Sequence, residues 1–357
     1  MGERQHLGLA SGHPMSSAPG FSENDIRPRE LMAEKQKYVD ADLAYLLSRH
    51  AEFVEVACPA CDSREGILKF EKSGFSYREC LSCGTLYMNP RPSHAVLRDF
   101  YATSQNYQFW NRHIFPATEA VRRDRIFRPR AERLSDYCRR FGVTTHTLLE
   151  VGAGFGTFCE EMRSLNLFER IVAVEPSPDL ARTCRARRLE VLEMPIGEIS
   201  ASFTADVIAS FEVIEHLFSP YDFIMQCASL LKPGGLLVIT CPNYRGFDIA
   251  TLKTLSNSVD HEHLNYFHTE SLPLLLQRCG FELKEVQTPG TLDAELVRKH
   301  ALSGALDLNN QPLLREILVE RWPRLGQRFQ DFLAANCLSS HMWVVGMKIA
   351  VEGRSSL

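Results

Sequence analysis

The stretch Leu148–Phe158, LLEVGAGFGTF, constrains the fold of this 357-residue chain more than any other part. An apolar run (Leu148, Leu149, Val151) passes through the acid Glu150 and stops in three glycines, Gly152, Gly154 and Gly156. That pattern predicts a buried parallel strand entering a tight turn, where the missing Cβ lets backbone approach a ligand. A second apolar strand, Ile171–Glu175 (IVAVE), also ends in an acid. A carboxylate at the tip of the second strand suits the two hydroxyls of a ribose. The pair of strands therefore predicts an adenosine-containing cofactor.

From residue 147 onward, strands alternate with helices. The pattern places strands at 147–151, 171–175, 189–193, 206–210, 235–241, 281–287 and 341–349. Helices fall near 157–166, 178–187, 220–231 and 269–279, with Thr269 as a capping residue for the last. Such alternation gives a parallel sheet with helices on both faces. A mostly helical insert, 289–340, separates the last two strands and is a candidate lid or substrate wall.

The expected units are a disordered tail (1–27), an N-terminal helix (28–52), a cysteine-rich ribbon (53–92), a helical linker (93–145) and the α/β core (146–357). The hydrophobic fraction of 45% and charged fraction of 24% are ordinary for a globular protein. A net charge of -4 disfavours a nucleic-acid binder. No apolar run approaches the ~20 residues of a membrane span, and the N-terminus lacks the apolar core of a secretion signal. The chain has 11 cysteines, an odd number, mostly scattered singly, which fits reduced thiols in the cytoplasm.

Two cysteine pairs stand apart. Cys58-Pro-Ala-Cys61 and Cys80-Leu-Ser-Cys83, with 18 residues between them, have the spacing of a four-thiolate structural zinc site. Gly84 follows the second pair, as such a turn requires. Four thiolates fill a tetrahedral shell, so this zinc would be structural and would supply much of the folding free energy of a segment with little core.

Three features separate the possible cofactors. The glycine pattern is GxGxG rather than GxGxxG. The fourth strand runs into FEVIEHL, Phe211–Leu217, and the following helix ends in LLKPGGLLVIT, Leu230–Thr240. Together with LLEVGAGFG and VAVEPS, these motifs resemble the class I S-adenosylmethionine-dependent methyltransferases, over about residues 146–287. The resemblance implies a Rossmann-like seven-stranded sheet, six strands parallel and the last antiparallel. It implies that Glu150, Gly152, Ala153, Gly154 and Gly156 line the methionine part of the cofactor. Glu175 would hold the ribose, and Pro176 and Ser177 would lie beside the adenine. Met194, Pro195 and Ile196 would flank its other side, and Phe211 and Glu212 would close over the cofactor.

On the acceptor side, Asp260–Phe267 (DHEHLNYF) resembles the HEH element of nucleotide-sugar C-methyltransferases. By that resemblance His263 is a general base, tuned by Glu262, with His216 across the pocket and His261 and Tyr266 nearby. The chain departs from that family in carrying Asp260 where a tyrosine usually precedes HEH, and in lacking a large C-terminal domain. It is also similar to zinc-ribbon methyltransferases of unassigned substrate, often associated with polysaccharide or natural-product pathways, which share NPRPS (89–93) and TPGTLDAELV (288–297). The expected function is methyl transfer to a small-molecule acceptor, a sugar, glycan-pathway or natural-product intermediate that can be nucleotide-linked. An RNA methyltransferase docking substrate on its ribbon and a non-catalytic scaffold are the alternatives. Arg122, Arg123, Arg125, Arg128, Arg130 and Arg133 form either a solvated helix face or contacts to an anionic substrate.

Overall fold

The computed structural model describes residues 21–350. Most of the tail expected over 1–27 lies outside the described residues, but Glu23–Ile26 forms a short helix, α1. The expected N-terminal helix follows as α2, Arg29–Ser48. No helix among the described residues is long and apolar enough to cross a membrane.

The cysteine module contains β1 (Phe53–Val54), β2 (Gly66–Lys72), β3 (Phe75–Cys80), β4 (Leu86–Met88) and β5 (Arg91–Pro92). The linker is helical through α3 (His94–Thr103), α4 (Gln105–Phe109), α5 (Phe115–Arg122) and α6 (Arg128–Phe141). Ser93 and Ser104 cap the first two of these through their hydroxyls. Wide π turns at Trp110–Ile114 and Arg123–Phe127 precede Pro116 and Pro129. A proline lacks the N–H that would close a regular turn, so the helix widens before it and continues. Gly142, at φ 64°, ends α6 in the left-handed conformation.

The core runs β6 (Thr147–Val151), α7 (Thr157–Ser164), β7 (Arg170–Val174), α8 (Pro178–Ala186), β8 (Glu190–Leu192), β9 (Ala205–Phe211), α9 (Pro220–Leu230) and β10 (Leu231–Pro242). After α10 (Phe247–Leu252) and β11 (Asn265–Tyr266) come α11 (Ser271–Arg278) and β12 (Phe281–Gln287). The expected insert carries α12 (Asp293–Leu302), α13 (Pro312–Arg315) and α14 (Trp322–Ala335), and β13 (His341–Lys348) completes the sheet.

The seven-stranded order is β12-β13-β10-β9-β6-β7-β8, with β13 antiparallel to both its neighbours and the rest parallel, as expected. Every residue of β6 and β9 is buried, because central parallel strands are covered on both faces. Alternate residues serve opposite layers. Leu149, Val151, Ile208 and Ile239 pack on α9 and α11, while Leu148, Val207, Ala209 and Val238 pack on α6 and α7. The strand order reverses at β6/β9, and the crevice beyond the strand ends there is where open α/β sheets bind ligands.

Thr269 does not cap α11. The helix begins at Ser271, whose hydroxyl accepts from the His268 N–H at 3.0 Å, while His268 Nδ1 accepts from the Glu270 N–H at 3.3 Å. The local hydrogen bonds of His268 replace the expected threonine cap.

Candidate active site

The glycine turn behaves as its sequence predicts. Gly152, Gly154 and Gly156 have φ of 80°, 56° and 72°, the region that favours glycine. A Cβ on Gly152 would stand 2.5 Å from Val213, and one on Gly156 would stand 2.5 Å from Leu189. A Cβ on Gly154 would meet nothing within 4 Å. That glycine therefore faces open space, in the crevice where a ligand would lie. Its N–H donates to Glu175 Oε2 at 2.8 Å, and the Ser177 N–H donates to Glu175 Oε1 at 2.9 Å. These bonds hold the Glu175 carboxylate at the tip of β7, and each oxygen keeps a lone pair for a hydroxyl donor.

Glu150 is buried and accepts from Cys159 Sγ at 2.9 Å. Burial pushes its carboxyl up to about 8, against the lowering influence of Cys159 and Arg130. A ligand cation beside it would favour the ionised form. Pro176 is exposed and Ser177 half-buried, while Ile196 is buried against the core beside half-buried Met194 and exposed Pro195. Phe211 differs from its expected role of covering the cofactor. Its ring is buried edge-on to Phe158 at 4.7 Å and tilted on Trp343 at 5.7 Å, so it is a core residue. Glu212, at φ 55°, accepts from Thr240 Oγ1 at 2.6 Å and pairs with Arg130 at 3.2 Å. Burial opposes its ionisation, but His341, Arg130 and Thr240 together hold its carboxyl below the usual range.

The DHEHLNYF loop turns rather than running extended. Asp260 Oδ1 accepts from the N–H groups of Glu262 and His263 at 2.9 and 3.0 Å, which bends the chain. The bend sends the two histidines different ways. His263 meets His216, ring centroids 4.7 Å apart. His261 instead faces Phe100, 6.1 Å away, and its Nε2 has no hydrogen-bond partner. The expected tuning of His263 by Glu262 is thus corrected. Glu262 bonds Asn106 and lies 3.9 Å from His261, so it does not tune His263. Asp260 and the Ser258 carbonyl, 2.7 Å from His263 Nδ1, orient that ring. Tyr266 is buried and braces the loop. Its hydroxyl accepts from the Asp260 N–H at 3.0 Å and lies 3.2 Å from the Asp260 carbonyl oxygen.

A carbonyl can only accept, so Nδ1 of His263 carries a proton, and Nε2 keeps a lone pair in the neutral form of the ring. His216 repeats the arrangement, its Nδ1 lying 3.0 Å from the Glu262 carbonyl. Burial and the neighbouring His263 lower His216 to about 4, which leaves it neutral. Glu215 joins them: one donor atom from each of Glu215, His216 and His263 lies within 4.8 Å of the others. Glu215 is buried, its Oε2 has no partner, and burial together with Glu212 raises its carboxyl well above the usual range. A second grouping, Asp42 with His261 and Glu262, is less open, because Asp42 already accepts from Ser104 Oγ and the N–H groups of Gln105 and Asn106.

The family profile described as "Methyltransferase domain" matches residues 120–286. The ubiquinone biosynthesis O-methyltransferase of Xanthomonas campestris pv. campestris is 31% identical over 171 residues, 43% of this chain and 70% of that protein. The chain belongs to the S-adenosylmethionine-dependent methyltransferases. A probable S-adenosylmethionine-dependent methyltransferase of Mycobacterium tuberculosis is 27% identical over 153 residues, covering 42% of this methyltransferase and 52% of the relative. The chain thus spans only about half of the mycobacterial protein. Among solved structures, an S-adenosylmethionine-dependent methyltransferase from Clostridium acetobutylicum gives a TM-score of 0.43 at 10% identity, covering 67% of this chain and 97% of that one.

The methyltransferase's cysteine module sits against the DHEHLNYF loop. Cys58 Sγ and Cys83 Sγ are 3.5 Å apart, as are Cys61 Sγ and Cys80 Sγ, and all four sulfurs lie within 4.8 Å. Each pair occupies a turn closed by a 2.9 Å backbone bond, Asp62 N–H to Cys58 O and Gly84 N–H to Cys80 O. Asp62 and Gly84 both adopt positive φ, 64° and 74°. The spacing that sequence reasoning missed is longer range. β11, from the acceptor loop, pairs with β4 and so joins the module's sheet, β11-β4-β3-β2.

The arginine run is largely consumed within the methyltransferase itself. Arg123 pairs with Glu119, Glu160 and Glu161, Arg128 with Asp124 and Glu161, and Arg130 with Glu212. Arg133 bonds Gln287 and lies over Trp343, and Arg125 is exposed. Arg122 is held differently, over aromatic rings.

Proposed function

We propose that this methyltransferase methylates a small-molecule acceptor using a histidine general base, with His263 Nε2 taking the proton. The observation that carries the reading is the pair of rings, His263 and His216, each tied through Nδ1 to a carbonyl. Neither ring is fully buried, and His216 lies three residues beyond Val213, which stands against Gly152 of the glycine turn. The nucleophile of the acceptor attacks the methyl carbon, the carbon–sulfur bond breaks toward sulfur, and S-adenosylhomocysteine leaves. The proton released by the nucleophile goes to Nε2.

Glu150, Gly152, Ala153, Gly154 and Gly156 are assigned to the methionine end of the cofactor and Glu175 to the ribose. The open space at Gly154 and the fixed carboxylate of Glu175 support this assignment. A sugar, glycan-pathway or natural-product intermediate is the favoured acceptor, with a hydroxyl suggested by the O-methyltransferase relative. Net charge of -4 and the internal pairing of most linker arginines count against RNA.

The four cysteines are assigned to one structural zinc ion. Tetrahedral Zn–S bonds of about 2.3 Å place sulfurs about 3.8 Å apart, a spacing that suits the observed cluster. Unpaired thiols throughout the chain suit a cytoplasmic setting.

The orphaned Glu215 Oε2 favours a second reading, in which Glu215, His216 and His263 hold a divalent cation that orients the acceptor oxygen. Bound there, a cation supplies Lewis acidity to the acceptor, and the carbonyl-anchored rings are neutral ligands for it.

Calorimetry with S-adenosylhomocysteine tests the cofactor assignment, and absence of binding would end it. For the base, a His263→Asn enzyme should bind S-adenosylhomocysteine normally and lose roughly 100-fold or more in kcat. The cation reading adds a dependence on added magnesium or manganese that Glu215→Gln abolishes. A metal-independent wild type would leave the base reading alone.

A further inference from the structure

Two buried polar atoms beside Glu262 have no partner. His261 is 6% exposed and Asn106 is 2% exposed, yet His261 Nε2 and Asn106 Oδ1 make no hydrogen bond. Buried polar atoms are almost always satisfied, so each of these asks for a group that the chain does not supply. Both belong to one cluster. His261 Nε2 lies 3.9 Å from Glu262 Oε1, and Asn106 donates through Nδ2 to the same carboxylate oxygen. Asp42, on α2, completes it: one ligand atom from each of Asp42, His261 and Glu262 lies within 4.8 Å of the others. Asn106 joins them from α4.

The cluster is not closed by its own bonds. Ser104 Oγ and the Asn106 N–H occupy Asp42 Oδ2 at 2.6 and 3.1 Å. Asp42 Oδ1 accepts the Gln105 N–H at 2.9 Å and keeps a lone pair. These bonds fix the carboxylate at the start of α4 without filling it. Lys35 acts on Glu262 through space, but no ion pair among the described residues joins its ammonium to Asp42 or Glu262. The 3.9 Å between His261 Nε2 and Glu262 Oε1 is too long for a hydrogen bond. Two ligands each held about 2.1 Å from one ion stand about 3–4 Å apart, and this pair has that spacing. Two carboxylates and a neutral imidazole also balance a doubly charged cation.

We propose that Asp42, His261 and Glu262, with the Asn106 amide oxygen beside them, bind one divalent cation of the manganese or zinc type. Mixed imidazole and carboxylate ligands suit such ions, whereas the four thiolates of the ribbon select zinc. The site is separate from the ribbon and from the Glu215, His216 and His263 grouping. An ion there clasps α2 and the start of α4 to the acceptor loop, on the side of the Asp260 turn that faces away from His263. The proposal does not depend on the methyl-transfer reading, and its failure would leave that reading untouched.

The full chain, purified with zinc and then freed of loosely held metal, is titrated with manganese and followed by electron paramagnetic resonance. One saturable site is expected. Its affinity should fall at least 10-fold in His261→Ala and in Glu262→Gln, with wild-type circular dichroism retained, and should change less than 3-fold in Glu215→Gln. Pulsed spectra of the manganese-loaded wild type supply a readout that needs no variant. They should show one coordinated imidazole nitrogen, where the His216 and His263 pair would show two. The proposal is overturned if the wild type binds no manganese saturably, or if the bound ion shows two imidazole nitrogens or none. It is equally overturned if folded His261→Ala and Glu262→Gln bind as the wild type does while Glu215→Gln loses the ion.

Discussion

Arg91, on the strand that leaves the cysteine module, donates from Nη1 to Asn265 Oδ1 in the acceptor loop at 3.0 Å. Arg91 is 1% exposed, and its guanidinium also reaches the carbonyls of Met88, Phe218 and Leu264 at 3.2, 3.0 and 3.3 Å. Asn265 in turn donates to the Leu217 carbonyl at 2.7 Å, one residue beyond His216. Three segments distant in sequence thus share one buried cation. Arg91→Leu should cost on the order of 2–4 kcal/mol in urea denaturation, because several buried carbonyls lose their donor. Loss of acceptor turnover should exceed loss of S-adenosylhomocysteine affinity. Equal losses in both would mean that the hub does not serve the acceptor loop in particular.

Removing metal should reproduce that selectivity. β11 pairs with β4, His268 Nε2 lies 2.9 Å from the Cys83 carbonyl, and Tyr77 donates to the Asp260 carbonyl at 2.8 Å. A chelated protein, or Cys83→Ser, should lose one zinc per chain by elemental analysis. It should gain hydrogen exchange across 256–268 and keep S-adenosylhomocysteine affinity within about 3-fold, since coupling that does not reach the cofactor turn leaves it intact. Unchanged exchange in 256–268 would detach the ribbon from the acceptor loop.

Glu150 sets a pH dependence of stability. Its carboxyl lies at about 8 in the fold, against an ordinary value of 4.5. The folded state therefore disfavours ionisation, and stability present below pH 4.5 drains away as pH rises toward about 8. Glu150→Gln removes the proton from the balance. The variant should match the wild type near pH 5 and exceed it by roughly 2–4 kcal/mol at pH 8.5 without cofactor, read as urea midpoints at the two pH values. Parallel pH profiles would contradict the assignment.

Gly154 and Gly156 should answer differently to one methyl group. Both sit at positive φ, which costs alanine about 1–2 kcal/mol. At Gly156 the methyl also meets Leu189 at 2.5 Å and Cys184 at 3.0 Å, so Gly156→Ala should lower Tm more. At Gly154 it enters open space, so Gly154→Ala should stay folded and weaken S-adenosylhomocysteine at least 10-fold. A variant at Gly154 with unimpaired affinity would move the cofactor elsewhere.

The core was legible because it is written in local patterns. Apolar runs placed all seven sheet strands, and the glycine turn and Glu175 lie where their motifs put them. The acceptor loop was legible only as a motif. The motif suggests Glu262 beside His263, whereas the Asp260 turn parts them and sends Glu262 to Asn106. The partner of His263 came from FEVIEHL, and its anchor was the unremarked Ser258 carbonyl. Asp42 and Asn106 carried no motif at all, since their meaning depends on α2 and α4 packing beside a loop from much later in the chain. The arginine run was visible, as were Glu119 and Asp124 one turn before Arg123 and Arg128, but its other acids, Glu160, Glu161 and Glu212, lie on α7 and beyond, where charge alone does not reveal them.

β13 lies between β10 and β12, hydrogen-bonded to both. During synthesis β12 emerges first, followed by the whole insert, and only then the strand that gives it a neighbour. Until that strand is released from the ribosome, β10 and β12 each present an open backbone edge, and Val238 and Ile239 lack their cross-strand partners Val345 and Val344. Completion of the sheet in this enzyme therefore waits until the insert has been made. The nascent chain spends the synthesis time of the insert with two unprotected edges, an interval in which chaperone engagement competes with aggregation.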